Sequence, residues 1–119
     1  MMSFKEDNLI QKKTFDFALK IIQFYSDCKS QNEFILSKQI LRCGTSIGAN
    51  VEEAIAAQSK KDFISKLSIA NKEARETKYW LKLYQSSNLV QVDVELYLKE
   101  IESIINILTK IIKTSSENL

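Results

Sequence analysis

Apolar residues recur three and four places apart along almost the whole chain, and the recurrence breaks at three short polar stretches. That spacing belongs to helices with one face turned toward a core. Four helices are predicted, over about residues 8–29, 33–58, 60–86 and 93–114. The first carries two adjacent stripes, Phe15, Ala18, Ile22, Tyr25 and Phe17, Ile21, Phe24, Cys28. Together they are wider than one packing partner needs, so a second contact is expected there, with another helix or another subunit. The second helix places Leu36, Ile40, Cys43, Ile47, Val51 and Ala54 on its core face, with Leu41, Gly44, Gly48 and Ile55 on a line beside it. In the third, Phe63, Leu67, Ala70, Ala74, Leu81 and Tyr84 share the core face, and Ile69 and Trp80 share a flank. The fourth aligns Val94, Leu98, Ile101, Ile105, Leu108 and Ile112, with Tyr97, Ile104 and Ile111 alongside.

The breaks carry helix-end chemistry. Asp7 or Asn8 is a candidate cap for the first helix, after a leader of residues 1–7 expected to fray. Ser30 with Glu33 three places on has the capping-box pattern, and Asn32 is an alternative cap. Ser59 precedes Asp62 by the same interval and is expected to cap the third helix. Ser86, Ser87 and Asn88 end that helix, Asp93 opens the fourth, and the tail Thr-Ser-Ser-Glu-Asn-Leu is expected to be disordered. Short connections make successive helices antiparallel neighbours. The expected fold is all-α, an antiparallel up-down-up-down four-helix bundle forming a single domain over residues 1–119.

Composition points the same way. Proline is absent and glycine occurs twice, which suits long helices and disfavours turn-rich sheets. Gly44 and Gly48 lie one turn apart inside a helix, where each costs about 1 kcal/mol relative to alanine. Something must approach the backbone closely there, and tight packing of a neighbouring helix is the plain explanation. The polar surroundings exclude a membrane dimer motif. Residues 1–8 lack the apolar run of a secretory signal, and no apolar stretch reaches the roughly 20 residues of a membrane span. A soluble cytoplasmic protein without membrane contact is expected. Cys28 and Cys43, on apolar stripes and without histidine in the chain, read as two reduced core thiols.

Folding the second and third helices about a turn near residues 58–60 sets Arg42 level with Glu76 and within a turn of Glu73. Glu52 and Glu53 then face Lys66. Glu73 is expected to be partly buried, and a buried carboxylate needs a partner. The planar guanidinium of Arg42 is the fitting one. The expected Arg42–Glu73/Glu76 cluster would hold the register of the hairpin. Four glutamates on facing helices suggest a di-iron site, but such sites use Glu-x-x-His pairs and the chain has no histidine. The cysteines are apolar-side residues, and no base is placed to activate a serine. No catalytic residue, metal, cofactor or small-molecule substrate is expected.

One surface has the character of a binding site. On the third helix the face opposite the core carries Lys61, Ser65, Ser68, Lys72, Arg75, Tyr79 and Lys82, with no acid among them. Lys61, Lys72, Arg75 and Lys82 can follow a phosphate backbone while Tyr79 stacks on a base. A solvated lysine face is the plainer alternative, since the whole chain carries a net charge of only +2.

The segment Gln39 to Leu81, within SKQILRCGTSIGANVEEA and DFISKLSIANKEARETKYWL, resembles the small bacterial four-helix bundle proteins named for open reading frames in intervening sequences of 23S ribosomal RNA genes. By position the family signature falls on Gln39, Arg42, Ser46, Asn50, Glu53, Phe63, Ala70, Glu73, Glu76 and Trp80, while Ala54 stands where many relatives have glycine. The resemblance implies the bundle, a ring-shaped homopentamer with a basic surface, and kinship with the accessory proteins of diversity-generating retroelements, basic pentamers that bind a reverse transcriptase and nucleic acid. It supplies no activity of its own. The expectation is a non-enzymatic homo-oligomer binding RNA or a nucleoprotein partner through the third-helix stripe. The alternative is a structural or protein-interaction module without nucleic-acid binding. The broad face of the first helix and the Ile69/Trp80 flank are the candidate subunit contacts.

Overall fold

The computed structural model describes residues 4–117. It contains four helices, α1 (Phe4–Ser30), α2 (Leu36–Ile55), α3 (Lys60–Ser87) and α4 (Glu95–Glu117), packed as an antiparallel up-down-up-down bundle. α2 lies between α1 and α3, α4 packs on α3, and α1 and α4 close the square along their lightest contact. The molecule measures 47 × 21 × 21 Å.

The helix ends depart from the sequence expectations for identifiable reasons. α1 is already running at Phe4, so Asp7 and Asn8 lie inside it and do not cap it. No proline or glycine in that segment stops the helix from extending. Residues 1–3 of the expected leader, and 118–119 of the expected tail, lie outside the described residues. The rest of that tail is helical through Glu117, with Ser115 buried.

Asn32 does not cap α2 but ends α1, in the left-handed conformation at φ 67°. The Glu33 amide donates to the Cys28 carbonyl (2.9 Å) and the Asn32 amide to that of Lys29 (2.9 Å). These are the paired bonds of a Schellman motif. Ser30 likewise stays with α1, its hydroxyl donating to the Asp27 carbonyl. The Glu33 carboxylate receives the amides of Ile35 (2.9 Å), Leu36 (2.9 Å) and Ser37 (3.1 Å). It thereby supplies the acceptor that the start of α2 requires, with the favourable charge at a helix N-terminus. Burial acts to raise its pKa, but the bonds from Leu36, Ser37 and Ile35 outweigh it and hold the carboxyl below the usual range.

α2 ends at Ile55, short of residue 58, as the Ala57 amide turns to the Ala54 carbonyl and tightens the last turn. That frees Ser59 to adopt an extended conformation and accept the Asp62 amide at 3.0 Å. Asp93 accepts the Glu95 amide at 3.0 Å, so α4 starts two residues later than its capping residue. At the same end of the bundle, Gln31 and Gln91 exchange side-chain to backbone bonds that tie the two connections together.

The core takes Phe17, Ile21, Phe24 and Cys28 from α1, all fully buried, and leaves Phe15, Leu19 and Ile22 largely exposed. On α3 the whole expected face is buried, and Thr77 joins it by returning its hydroxyl to the Glu73 carbonyl (2.7 Å). On α4 the buried line runs through Ile101, Ile104, Ile105, Leu108 and Ile111, while Leu98 and Ile112 sit at its margin. Both cysteines are free and buried, and burial pushes each thiol pKa upward.

The close approach at the glycines is made by α1. A Cβ on Gly44 would stand 3.0 Å from Cγ2 and 3.1 Å from Cγ1 of Ile21, a side chain with no exposed surface to retreat into. A Cβ on Gly48 would meet the Thr14 carbonyl oxygen at 3.4 Å, an ordinary contact. Alanine at either site gains about 1 kcal/mol of helix propensity. At Gly44 overpacking, typically about 1–3 kcal/mol, outweighs it. Gly44→Ala is therefore expected to lower the melting temperature, whereas Gly48→Ala should match or exceed the wild type. The reverse order in thermal denaturation would contradict this α1–α2 packing.

Candidate nucleic-acid interface

α3 is long enough, and one-sided enough in its burial, to present a continuous outer face. Its core residues recur from Phe63 to Tyr84, so the opposite line, Lys61, Ser65, Ser68, Lys72, Arg75, Tyr79 and Lys82, is exposed throughout. At about 1.5 Å per residue that line is roughly 30 Å long. Lys61, Lys72, Arg75 and Lys82 make no ion pair with another described residue. Tyr79 is 59% exposed.

Two features beside the stripe were not legible in α3 alone. Glu102 of α4 accepts from the Lys78 ammonium at 2.6 Å. That bond holds the Glu102 carboxyl below its usual range against the opposing effect of desolvation, with Lys78, Arg75 and Lys82 adding their charge. The stripe is free of acids along α3, yet the α3–α4 packing sets Glu102 against its C-terminal half, with Glu95 lining the same groove beside Lys78 and Lys82. The other feature is the support beneath Tyr79. Its ring meets that of Trp80 edge to face, with centroids 5.4 Å apart and planes at 73°. The Trp80 indole N–H donates to Glu76 at 3.1 Å. An i, i+4 pair of this kind is readable in principle, but helical spacing does not say which way the indole turns.

Glu76 also accepts from the Arg42 guanidinium, whose other terminal nitrogen stands 3.6 Å from a Glu73 oxygen and whose Nε donates to Gln39 at 3.4 Å. Gln39, Arg42, Glu73, Glu76 and Trp80 thus converge on one α2–α3 corner. Of the other signature positions, Glu53 pairs with Lys66 at 3.1 Å and Asn50 donates to the Ser46 carbonyl at 2.9 Å, further along the same two helices. Phe63 and Ala70 are core residues. Glu52, the other acid placed near Lys66 by the sequence, instead accepts from Gln11 of α1 at 2.7 Å.

The Glu73 oxygen nearest Arg42 is buried and has no hydrogen-bond partner among the described residues. Arg42→Met would leave it without its cation, at a cost of about 1–2 kcal/mol, kept modest because Arg42 is half exposed and solvent screens the pair. The melting temperature is expected to fall by several degrees. An unchanged value would show that the cluster does not hold the hairpin register.

Among the described residues there is no group of three histidine, cysteine, aspartate or glutamate side chains placed to hold a metal, and no helix long and apolar enough to cross a membrane. The arrangement offers charge, one accessible aromatic face and a rigid support for it.

Comparison with known proteins agrees with the fold. The chain matches the family described as 23S rRNA-intervening sequence protein over residues 6–110. It is 45% identical to a protein of unknown function from the S23 ribosomal protein family of Bacteroides thetaiotaomicron, whose crystal structure superposes with a TM-score of 0.86 over 91% of this chain and 98% of that one. No curated protein matches it.

Proposed function

We propose that this chain, which belongs to the 23S rRNA-intervening sequence protein family, is a non-enzymatic cytoplasmic protein that assembles as a homo-oligomer and binds RNA or a nucleoprotein partner through the outer face of α3. One observation carries the reading. Lys61, Lys72, Arg75 and Lys82 lie in a single exposed line, without an ion-pair partner among the described residues, and with Tyr79 between the last two. Cations in a line attract a polyphosphate by releasing its counterions, whatever its sequence.

The modest net charge makes assembly important. Several copies of a weak stripe arranged in a ring, pentameric as the family resemblance suggests, would act as one extended field and bind with avidity. Phe15, Leu19 and Ile22 supply an exposed apolar row on α1 for such a contact. Light scattering should give a multiple of the 13.7 kDa chain mass; a monomeric mass would remove both the ring and its avidity.

The test of binding is a titration of labelled structured RNA at several salt concentrations, with wild type and Lys72→Glu/Arg75→Glu. Steep weakening with salt and loss in the variant support the reading. Absence of binding at low salt, or equal binding by the two proteins, sinks it. The second reading, a structural or protein-interaction module, is favoured by Glu102, whose carboxylate offsets part of the stripe.

A further inference from the structure

Resting on that reading of α3, we infer that the ligand is an unpaired RNA segment. Tyr79 is the stacking platform for one of its bases, and Trp80, Glu76 and Arg42 are the positioning residues that hold the platform in place.

A surface tyrosine is free to swing about two side-chain torsions, and immobilising it on a ligand costs entropy. Here that freedom is already restricted. The Trp80 and Tyr79 rings pack edge to face with centroids 5.4 Å apart, an arrangement aromatic rings favour. Trp80 is in turn half-buried and pinned through its indole N–H to Glu76. Glu76 is fixed by Arg42 across the helix pair, and Arg42 is held by Gln39 and Glu73. A chain of contacts therefore runs from α2 to the one aromatic residue on the stripe and ends there, leaving Tyr79 59% exposed.

The charges are placed to match. Arg75 stands one turn before Tyr79 and Lys82 nearly one turn after it, both exposed on the same line. A base lying on the ring would have its flanking phosphates next to cations. A duplex cannot use this device. Its base faces are covered by stacking, and the A-form major groove is too deep and narrow for a side chain on a straight helix to enter. Only a base freed from its neighbours can lie on Tyr79, and stacking of this kind tolerates any base because every base has a π face.

The test compares a mixed-sequence single-stranded RNA, long enough to span the stripe, with the same strand annealed to its complement. Affinity is measured over a range of salt with the intact protein by the anisotropy of end-labelled RNA, a readout that also serves Trp80→Phe, which removes the sole tryptophan. Wild type should prefer the single strand. Tyr79→Ala should weaken single-strand binding about tenfold, leave duplex binding alone, and keep the salt slope because no charge is removed. Tyr79→Phe should retain the preference. Trp80→Phe should weaken single-strand binding by a smaller factor with the slope again unchanged.

Equal affinity for the two forms, or an unchanged ratio in Tyr79→Ala, would overturn the stacking role while leaving the basic face standing. Trp80→Phe that weakens both forms alike would act through the fold, overturning the positioning role. Binding to neither form would remove the underlying reading as well.

Discussion

Phe24→Ala is expected to destabilise the bundle by about 3–5 kcal/mol, the usual cost of removing a fully buried phenylalanine. Phe24 has no exposed surface, and its ring meets Tyr84 of α3 at 5.3 Å and Tyr97 of α4 at 5.1 Å, both edge to face. It is therefore a point where α1 reaches both α3, diagonally across the core, and its neighbour α4. α1 and α4 otherwise touch lightly, with the Lys20–Glu100 ion pair on the outside of that seam. Truncation would open a cavity bounded by two large rings held by their own helices, which limits how far the site can collapse. Small domains are stable by only about 5–15 kcal/mol, so a loss of this size removes a large share of the total. Urea denaturation should show the midpoint falling with little change in slope. A midpoint close to wild type would mean that α1 does not close against α3 and α4 here.

The second large effect is on binding. Lys72→Glu/Arg75→Glu reverses two charges at the centre of the stripe and moves the net charge of the chain from +2 to −2. Each phosphate that no longer meets a cation should reduce the slope of log affinity against log salt by about 0.7–0.9, so two such phosphates reduce it by about 1.4–1.8. At low salt the affinity should fall on the order of a hundredfold, since the new carboxylates repel the phosphates that the cations attracted. A matched variant separates placement from net charge. Lys110→Glu/Lys113→Glu makes the same change at exposed positions near the end of α4. It should weaken binding far less. Glu102→Gln acts in the opposite direction, releasing Lys78 from its 2.6 Å ion pair and tightening binding. If the two double variants behave alike, the α3 face is not the site and the protein-interaction reading takes its place.

Much of this molecule was legible from spacing alone. Helical period is a property of the local backbone, so the recurrence of Phe63, Leu67, Ala70, Ala74, Leu81 and Tyr84 was enough to place α3, name its buried face and identify the basic line opposite. The helix-pair register was legible for a related reason. A short turn closed by Ser59 sets which residues are level, and Arg42 with Glu76, and Glu53 with Lys66, meet across it. The glycines marked a close approach without saying what made it.

Other features depended on partners distant in sequence. α1 carries two apolar stripes of similar character, and only the position of the other three helices determines that Phe17, Ile21 and Phe24 are dry while Phe15 and Ile22 face outward. Asn32 and Glu33 both have cap chemistry, and their roles were assigned by the path the chain takes from α1 into α2. Glu102 becomes a neighbour of Lys78 only when α4 packs on α3. Tyr79 acquires its support only when Trp80 turns toward Glu76 and Arg42 crosses from α2 to meet it. The sequence by itself determined the helices and their core faces, because those follow from each segment's own period. The charge balance of the stripe and the bracing of its aromatic ring were decided by tertiary structure, because electrostatic and packing contacts are set by distance in space.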